Sequence, residues 1–126
     1  MFNHHLSGIA ISRLHGASLV AFWLILLNLA FNVLANASFR ISAFSENWRG
    51  ILLWQVIGNL AGLVTVITLT VLLRYMPLGV AFPLTTGLAI LGVEFVAAVW
   101  LFHEPVSGRQ WLGTLAIVLG IWLIQR

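Results

Sequence analysis

The sequence predicts an all-α membrane protein: four transmembrane helices in an antiparallel bundle that acts as a dimer. Three observations carry this. Of its 126 residues, 61% are hydrophobic and only 7% are charged, which leaves too little polar surface to cover a soluble globule and excludes a soluble enzyme. Three apolar stretches each reach the length that crosses a bilayer, and a fourth runs into the last residues. The connections are so short that neighbouring helices must run antiparallel, with both termini on one side.

The elements follow in order as one four-helix transmembrane domain over residues 1–126. Residues 1–16 are mixed in polarity, hold three His and Arg13, and read as an interfacial lead-in. Helix 1 covers 17–39, whose 23 residues rise ~34 Å, enough to span with some tilt. It is the most polar of the four. Residues 42–49 form a short polar loop, with Trp48 and Arg49 suited to the membrane interface. Helix 2 covers 51–73, and Pro77 in the next connection stops one helix and permits another to start. Helix 3 covers 80–102, with Pro83 in its first turn, where a missing N–H costs little. Residues 103–108 form the third loop, and helix 4 covers 109–125, near the short end of the spanning range.

Charge excludes several classes of function. Six Arg and no Lys stand against three Glu and no Asp, scattered through the connections, so there is no clustered basic face for nucleic acid. Arg13, Arg74 and Arg126 fall on the terminal side and Arg40, Arg49 and Arg109 on the other, a tie that leaves either orientation open. Cysteine is absent, which removes disulfides, thiolate metal sites and Cys nucleophiles. His4 and His5 share no helix face and have no carboxylate beside them, so no metal and no cofactor is expected. His103, Glu104 and Ser107 form the only close polar cluster, and with Pro105 and Gly108 it reads as turn chemistry rather than a catalytic site.

The polar residues within the helices are the informative ones. Asn28, Asn32, Asn36 and Arg40 recur every fourth residue on helix 1 and make one continuous stripe ending in a cation. Unsatisfied amides in hydrocarbon cost several kcal/mol each by order of magnitude, so the stripe must face the bundle or a wet cavity. Glu94 is the only ionisable residue inside a helix. It precedes the end of helix 3 by eight residues, as Asn32 precedes Arg40, and should therefore share the depth of Asn32. There it suits either a proton carrier or a hydrogen bond to Asn, with Gly87 one heptad earlier leaving space before it. An Arg that forks onto phosphate, above a run of amides, suits a substrate with an anionic head, a polar body and a tail left in the lipid. Gly58 and Gly62 on helix 2, and Gly113 and Gly120 on helix 4, offer close packing within the chain or between copies. Four helices leave little room for a closed pathway, so a partner is expected.

From helix 2 onward the chain resembles the drug/metabolite transporter superfamily in its four-helix, small multidrug resistance-like branch. The residues that carry the likeness are Arg74-Tyr75-Met76-Pro77-Leu78-Gly79-Val80-Ala81-Phe82-Pro83-Leu84, then Leu101-Phe102-His103-Glu104-Pro105-Val106-Ser107, and Gln110-Trp111-Leu112-Gly113 through Gly120-Ile121. They are most similar to the bacterial aminoarabinose-phosphoundecaprenol flippase subunits, well over about residues 70–124 and less so in helix 1. The resemblance implies a homodimer or a heterodimer with a similar small subunit in the inner membrane, and a polyprenyl-phosphate-linked sugar as substrate. It assigns Arg40, Asn36, Asn32, Asn28 and Glu94 to the substrate, and His103 and Glu104 to the third loop or gate. Two departures argue against the mechanism of cation exporters in this branch: Asn32 stands where they carry a membrane-embedded Glu, and Phe82-Pro83-Leu84-Thr85 replaces their aromatic run. Two other readings stay open, a proton-coupled exporter of organic cations using Glu94 and a non-transporting subunit of a larger membrane complex.

Overall fold

A computed structural model describes the backbone of residues 2–124 and the side chains of residues 16–124. The side chains of His4, His5 and Arg13, and all of Gln125 and Arg126, lie outside the described residues. Four helices are present: α1 (Phe2–Ala43), α2 (Trp48–Leu72), α3 (Leu78–Gly92), which runs on as a π-helix (Val93–Leu101), and α4 (Gly108–Ile124). The stretches Gly16–Ala43, Trp48–Leu72 and Leu78–Leu101 are long and apolar enough to cross a membrane, and Gly108–Ile124 is a shorter apolar helix. The chain is an all-α, multi-pass membrane protein.

The helix ends follow local chemistry. Pro77 sits at the N-cap of α3 in extended conformation, and the N–H groups of Val80 and Ala81 donate to its carbonyl. α4 opens with a reciprocal pair: the Gln110 N–H donates to Ser107 Oγ at 3.3 Å and the Ser107 N–H donates to Gln110 Oε1 at 2.7 Å. That is a capping box, and it satisfies two donors the helix start would otherwise leave bare. α1 reaches further at both ends than the helix predicted over 17–39, running on from Phe2 through the lead-in.

The core is an α1–α2 hairpin closed by small residues. Ala21, Asn28, Ala35 and Ser42 are buried and recur every seventh residue, and they meet buried Gly58, Ala61, Thr68 and Leu72 of α2. Without a hydrophobic force between helices in lipid, such seams hold by close backbone approach and a few hydrogen bonds. Ser42 Oγ donates to the Ile51 carbonyl at 2.9 Å across one end of the hairpin. Near the same end, Phe39 lies flat on Gly58, where an added Cβ would come within 2.5 Å of the ring. Gly58→Ala should therefore destabilise the hairpin by about 1–3 kcal/mol. Gly62→Ala, whose Cβ meets nothing within 4 Å, should leave the isolated chain unchanged, and thermal unfolding in detergent compares the two.

α3 packs on α1 and carries α4 on its outer side, so among the described residues α4 touches α3 and its π continuation rather than the hairpin. Gly87 makes this possible. Its missing side chain is replaced by Ile121 of α4, whose Cδ1 stands 1.7 Å from where a Cβ would be. Gly87 thus seats α4, and the open space expected in front of Glu94 is filled.

The continuous α-helix expected over 80–102 is not what forms. From Val93 the ladder widens to the π pattern, ending with the Phe102 N–H on the Ala97 carbonyl at 2.9 Å. The change begins at Gly92, where α1 approaches so closely that a Cβ would meet Leu29 Cδ1 at 2.7 Å and Val33 Cγ2 at 3.0 Å. This coincidence with a tertiary contact explains why the 3.6-residue periodicity does not announce it.

Candidate functional site

A cleft of about 400 Å³ opens between α2 and α3 over the stripe of α1. Asn28, Asn32 and Asn36 form its floor, Thr65, Val66 and Leu69 one wall, and Thr85, Thr86, Ala89 and Glu94 part of the other. The equal depth expected for Asn32 and Glu94 is met, since both line this one space. α2 and α3 are joined by the tight turn at 73–77, so they part with distance from it. Asn28 is 3% exposed, Asn32 half-buried and Asn36 exposed, which shows the cleft widening toward the C-terminal end of α1.

The three asparagines do different work. Asn28 Nδ2 donates to the Thr65 carbonyl at 2.9 Å and to Thr68 Oγ1 at 3.0 Å, using both of its protons on α2. Its Oδ1 accepts from Asn32 Nδ2 at 2.9 Å. Asn28 is thus a clamp between α1 and α2, with little left for a ligand. Asn32 Nδ2 also reaches the Asn28 carbonyl at 3.2 Å, and Asn36 Nδ2 donates to the Asn32 carbonyl at 2.9 Å. Both amides turn their nitrogens to backbone and leave oxygens for the cleft. With the Glu94 carboxyl, the cleft is rich in acceptors and suits hydroxyl or amine donors.

Glu94 stands in the first turn of the π-helix, half-buried. Its partner is not an asparagine but Thr114, the one buried residue of α4, whose Oγ1 contacts Glu94 Oε2. Thr114 Oγ1 also lies 3.0 Å from the Gln110 carbonyl. A hydroxyl has a single proton, so only one of these oxygens takes it at a time. An ionised Glu94 accepts from Thr114; a protonated one donates to Thr114, which then turns its proton to Gln110. The pair accommodates either state without moving a helix. Sequence reasoning missed Thr114, although it is the only polar residue between Gln110 and Gln125.

Arg40 is not a wall of the cleft. It lies one turn beyond Asn36, in the last turn of α1, where the helix dipole favours a cation. Its Nε donates to Glu104 Oε1, and both side chains are 38% exposed. The guanidinium stands 3.8 Å from the Phe44 ring centre and 5.8 Å from that of Phe102. A second space, lined by Arg40, Ile41, Phe44, Ser45 and Phe102, lies at this end. The loop reaches Arg40 through His103, whose φ of 52° is left-handed, and through the Glu104 N–H on the Ala98 carbonyl at 2.7 Å. A non-glycine residue held there has a conformational cost of order 1–3 kcal/mol, and such positions cluster at functional sites. Arg40 and Glu104 therefore tie the end of α1 to the third loop, whereas sequence reasoning had placed them in separate roles.

The glycines separate likewise. Gly58 is consumed by Phe39, while Gly62, Gly113 and Gly120 have nothing within 4 Å of an added Cβ among the described residues.

Similar proteins are known in enterobacteria. The chain is 42% identical over 79 residues to a protein of Serratia proteamaculans (strain 568) named "Probable 4-amino-4-deoxy-L-arabinose-phosphoundecaprenol flippase subunit ArnE", covering 61% of this chain and 66% of that one. It is 38% identical over 87 residues to the protein of the same name from Escherichia coli O157:H7 (strain EC4115 / EHEC), covering 65% and 72%. For that of Escherichia fergusonii the identity is 37% over 90 residues, covering 68% and 75%. The match thus spans about two thirds to three quarters of these curated relatives. No family model and no solved structure matches the chain.

Proposed function

We propose, from the premise that this chain belongs to the family of the ArnE-type flippase subunits, that it moves a polyprenyl-phosphate-linked sugar across the membrane together with a partner subunit. It is a multi-pass protein of the bacterial inner membrane. The observation that carries the reading is the single cleft in which Asn32, Asn36 and Glu94 present acceptors. The relatives' name describes an amino sugar on a phosphate on a polyprenol, and each part finds a match. Sugar hydroxyls suit the amide oxygens, the amine suits Glu94, and the apolar chain fits the opening between α2 and α3. The phosphate suits Arg40, one turn past the cleft mouth, once it displaces Glu104. On this reading Glu104 holds Arg40 in place until the anion arrives.

Thermal stabilisation of the purified protein tests this, because a ligand of the folded state raises Tm by mass action. An undecaprenyl-phosphate-linked amino sugar should raise Tm in the wild type. Arg40→Ala should weaken that binding by about tenfold or more, the scale of a charge-assisted hydrogen bond lost. Asn32→Ala should weaken it less, and Asn28→Ala should lower the unliganded Tm instead. Equal losses of binding in Arg40→Ala and Asn28→Ala would defeat the assignment.

A second reading has one observation in its favour, a carboxyl inside an otherwise uncharged cleft. If Glu94 served a proton-coupled exporter of organic cations, quaternary ammonium compounds would raise Tm in a pH-dependent manner, and Glu94→Gln would remove the effect.

A further inference from the structure

α2 carries two amides that the bundle does not use. Gln55 and Asn59 lie on the exposed side of α2, away from α1. Asn59 Nδ2 donates to the Gln55 carbonyl at 2.7 Å, while Asn59 Oδ1 and the Gln55 Nε2 protons have no partner among the described residues. Their depth makes this significant. Asn59 is one residue from the middle of the 25-residue helix Trp48–Leu72, so its outward amide faces the centre of the hydrocarbon, where an unpaired polar group costs several kcal/mol by order of magnitude. A groove lined by Leu52, Gln55, Val56, Asn59, Leu60 and Leu63 runs beside it. Gly62, seven residues after Gln55, leaves room for a close backbone.

We propose that this seam, Gln55, Asn59 and Gly62 continued by Val66, is where a second copy of the chain docks through α2. The spacing is that of a helix–helix seam. The occupant follows from the chemistry. The face has no charge and offers both donors and acceptors, so across a two-fold axis it complements itself, as an isologous interface requires. Its polar centre lies at mid-membrane, so Asn59 meets Asn59 whether the copies run parallel or antiparallel. This suits a chain whose arginines choose neither orientation. Val66 is also a wall residue of the cleft, so the second copy stands beside the cleft's lateral opening.

The absence of cysteine makes the test direct. Asn59→Cys and Gly62→Cys, each expressed alone in bacterial membranes and oxidised with copper phenanthroline, should give a disulfide-linked homodimer as the main product. Leu53→Cys, exposed on another side of α2, should give at least about fivefold less, the scale of one intramembrane hydrogen bond. Placing Gln55→Leu and Asn59→Leu behind Gly62→Cys should reduce its crosslink by a similar factor, with helical content and unfolding of the monomer in detergent retained. Crosslinking at Leu53→Cys equal to that at Asn59→Cys, no homodimer from either seam cysteine, or a Gly62→Cys crosslink indifferent to loss of both amides would each overturn the proposal. So would a seam crosslink formed only to a different coexpressed subunit.

Discussion

Glu94→Gln is expected to reduce flux of the lipid-linked amino sugar in proteoliposomes by about tenfold or more, the scale on which loss of one charged contact acts. The variant keeps the size and shape of the side chain, and its amide still pairs with Thr114 Oγ1, so Tm without ligand should stay within a few degrees of wild type. What it removes is the capacity to take a charge or a proton in the cleft. Intramembrane carboxyls are costly to maintain and mark pathways by default. Thr114→Val provides the companion result. It should lower flux a few-fold and alter its pH profile, because Glu94 loses the hydroxyl that adapts to both of its protonation states, and Thr114→Ser should restore both. Wild-type flux from Glu94→Gln would remove Glu94 from the machinery and leave the cleft to the amides.

The largest structural effect is expected from Gly87→Val, with a loss of about 3 kcal/mol or more. Any side chain at Gly87 collides with Ile121, and a β-branched one cannot swing clear. α4 has little else to hold it, since Thr114 is its one buried residue and contacts the distant Glu94. Unseating α4 should thus also break the Glu94–Thr114 pair and lower flux. Ile121→Ala introduced with Gly87→Val should recover most of the loss in a double-mutant cycle, as coupled neighbours do. Additive losses in unfolding measurements would show that the contact between α3 and α4 lies elsewhere.

Much of the fold was legible because the bilayer imposes a length on every span and forbids unpaired backbone within it. Four apolar runs with short polar connections admit little besides an antiparallel bundle. The stripe of Asn28, Asn32 and Asn36 and the depth of Glu94 were equally legible, because helical spacing fixes which residues share a face and a height. Partners were not. Nothing in the spacing told that Asn28 would spend both protons on α2, that Glu94 would find Thr114 twenty residues away, or that Arg40 would be taken by Glu104 across sixty-four. Two local signals were present but unread: the Ser107-to-Gln110 capping pattern and the small residues Ala21, Ala35 and Ser42 spaced by sevens.

By itself, then, the sequence determined the class of molecule, the number and direction of its helices, and the polar residues available at mid-membrane, because hydrophobic length and helical period are properties of the chain alone. Only the tertiary structure decided which of those residues clamp and which face a ligand. It made Gly58 and Gly87 seats for Phe39 and Ile121, widened the ladder after Gly92, and divided one polar stripe into a buried clamp, an open cleft and an ion-paired end. These outcomes depend on which side chain from another helix arrives at a given depth, and in lipid that is settled by close packing and hydrogen bonding between helices rather than by hydrophobicity.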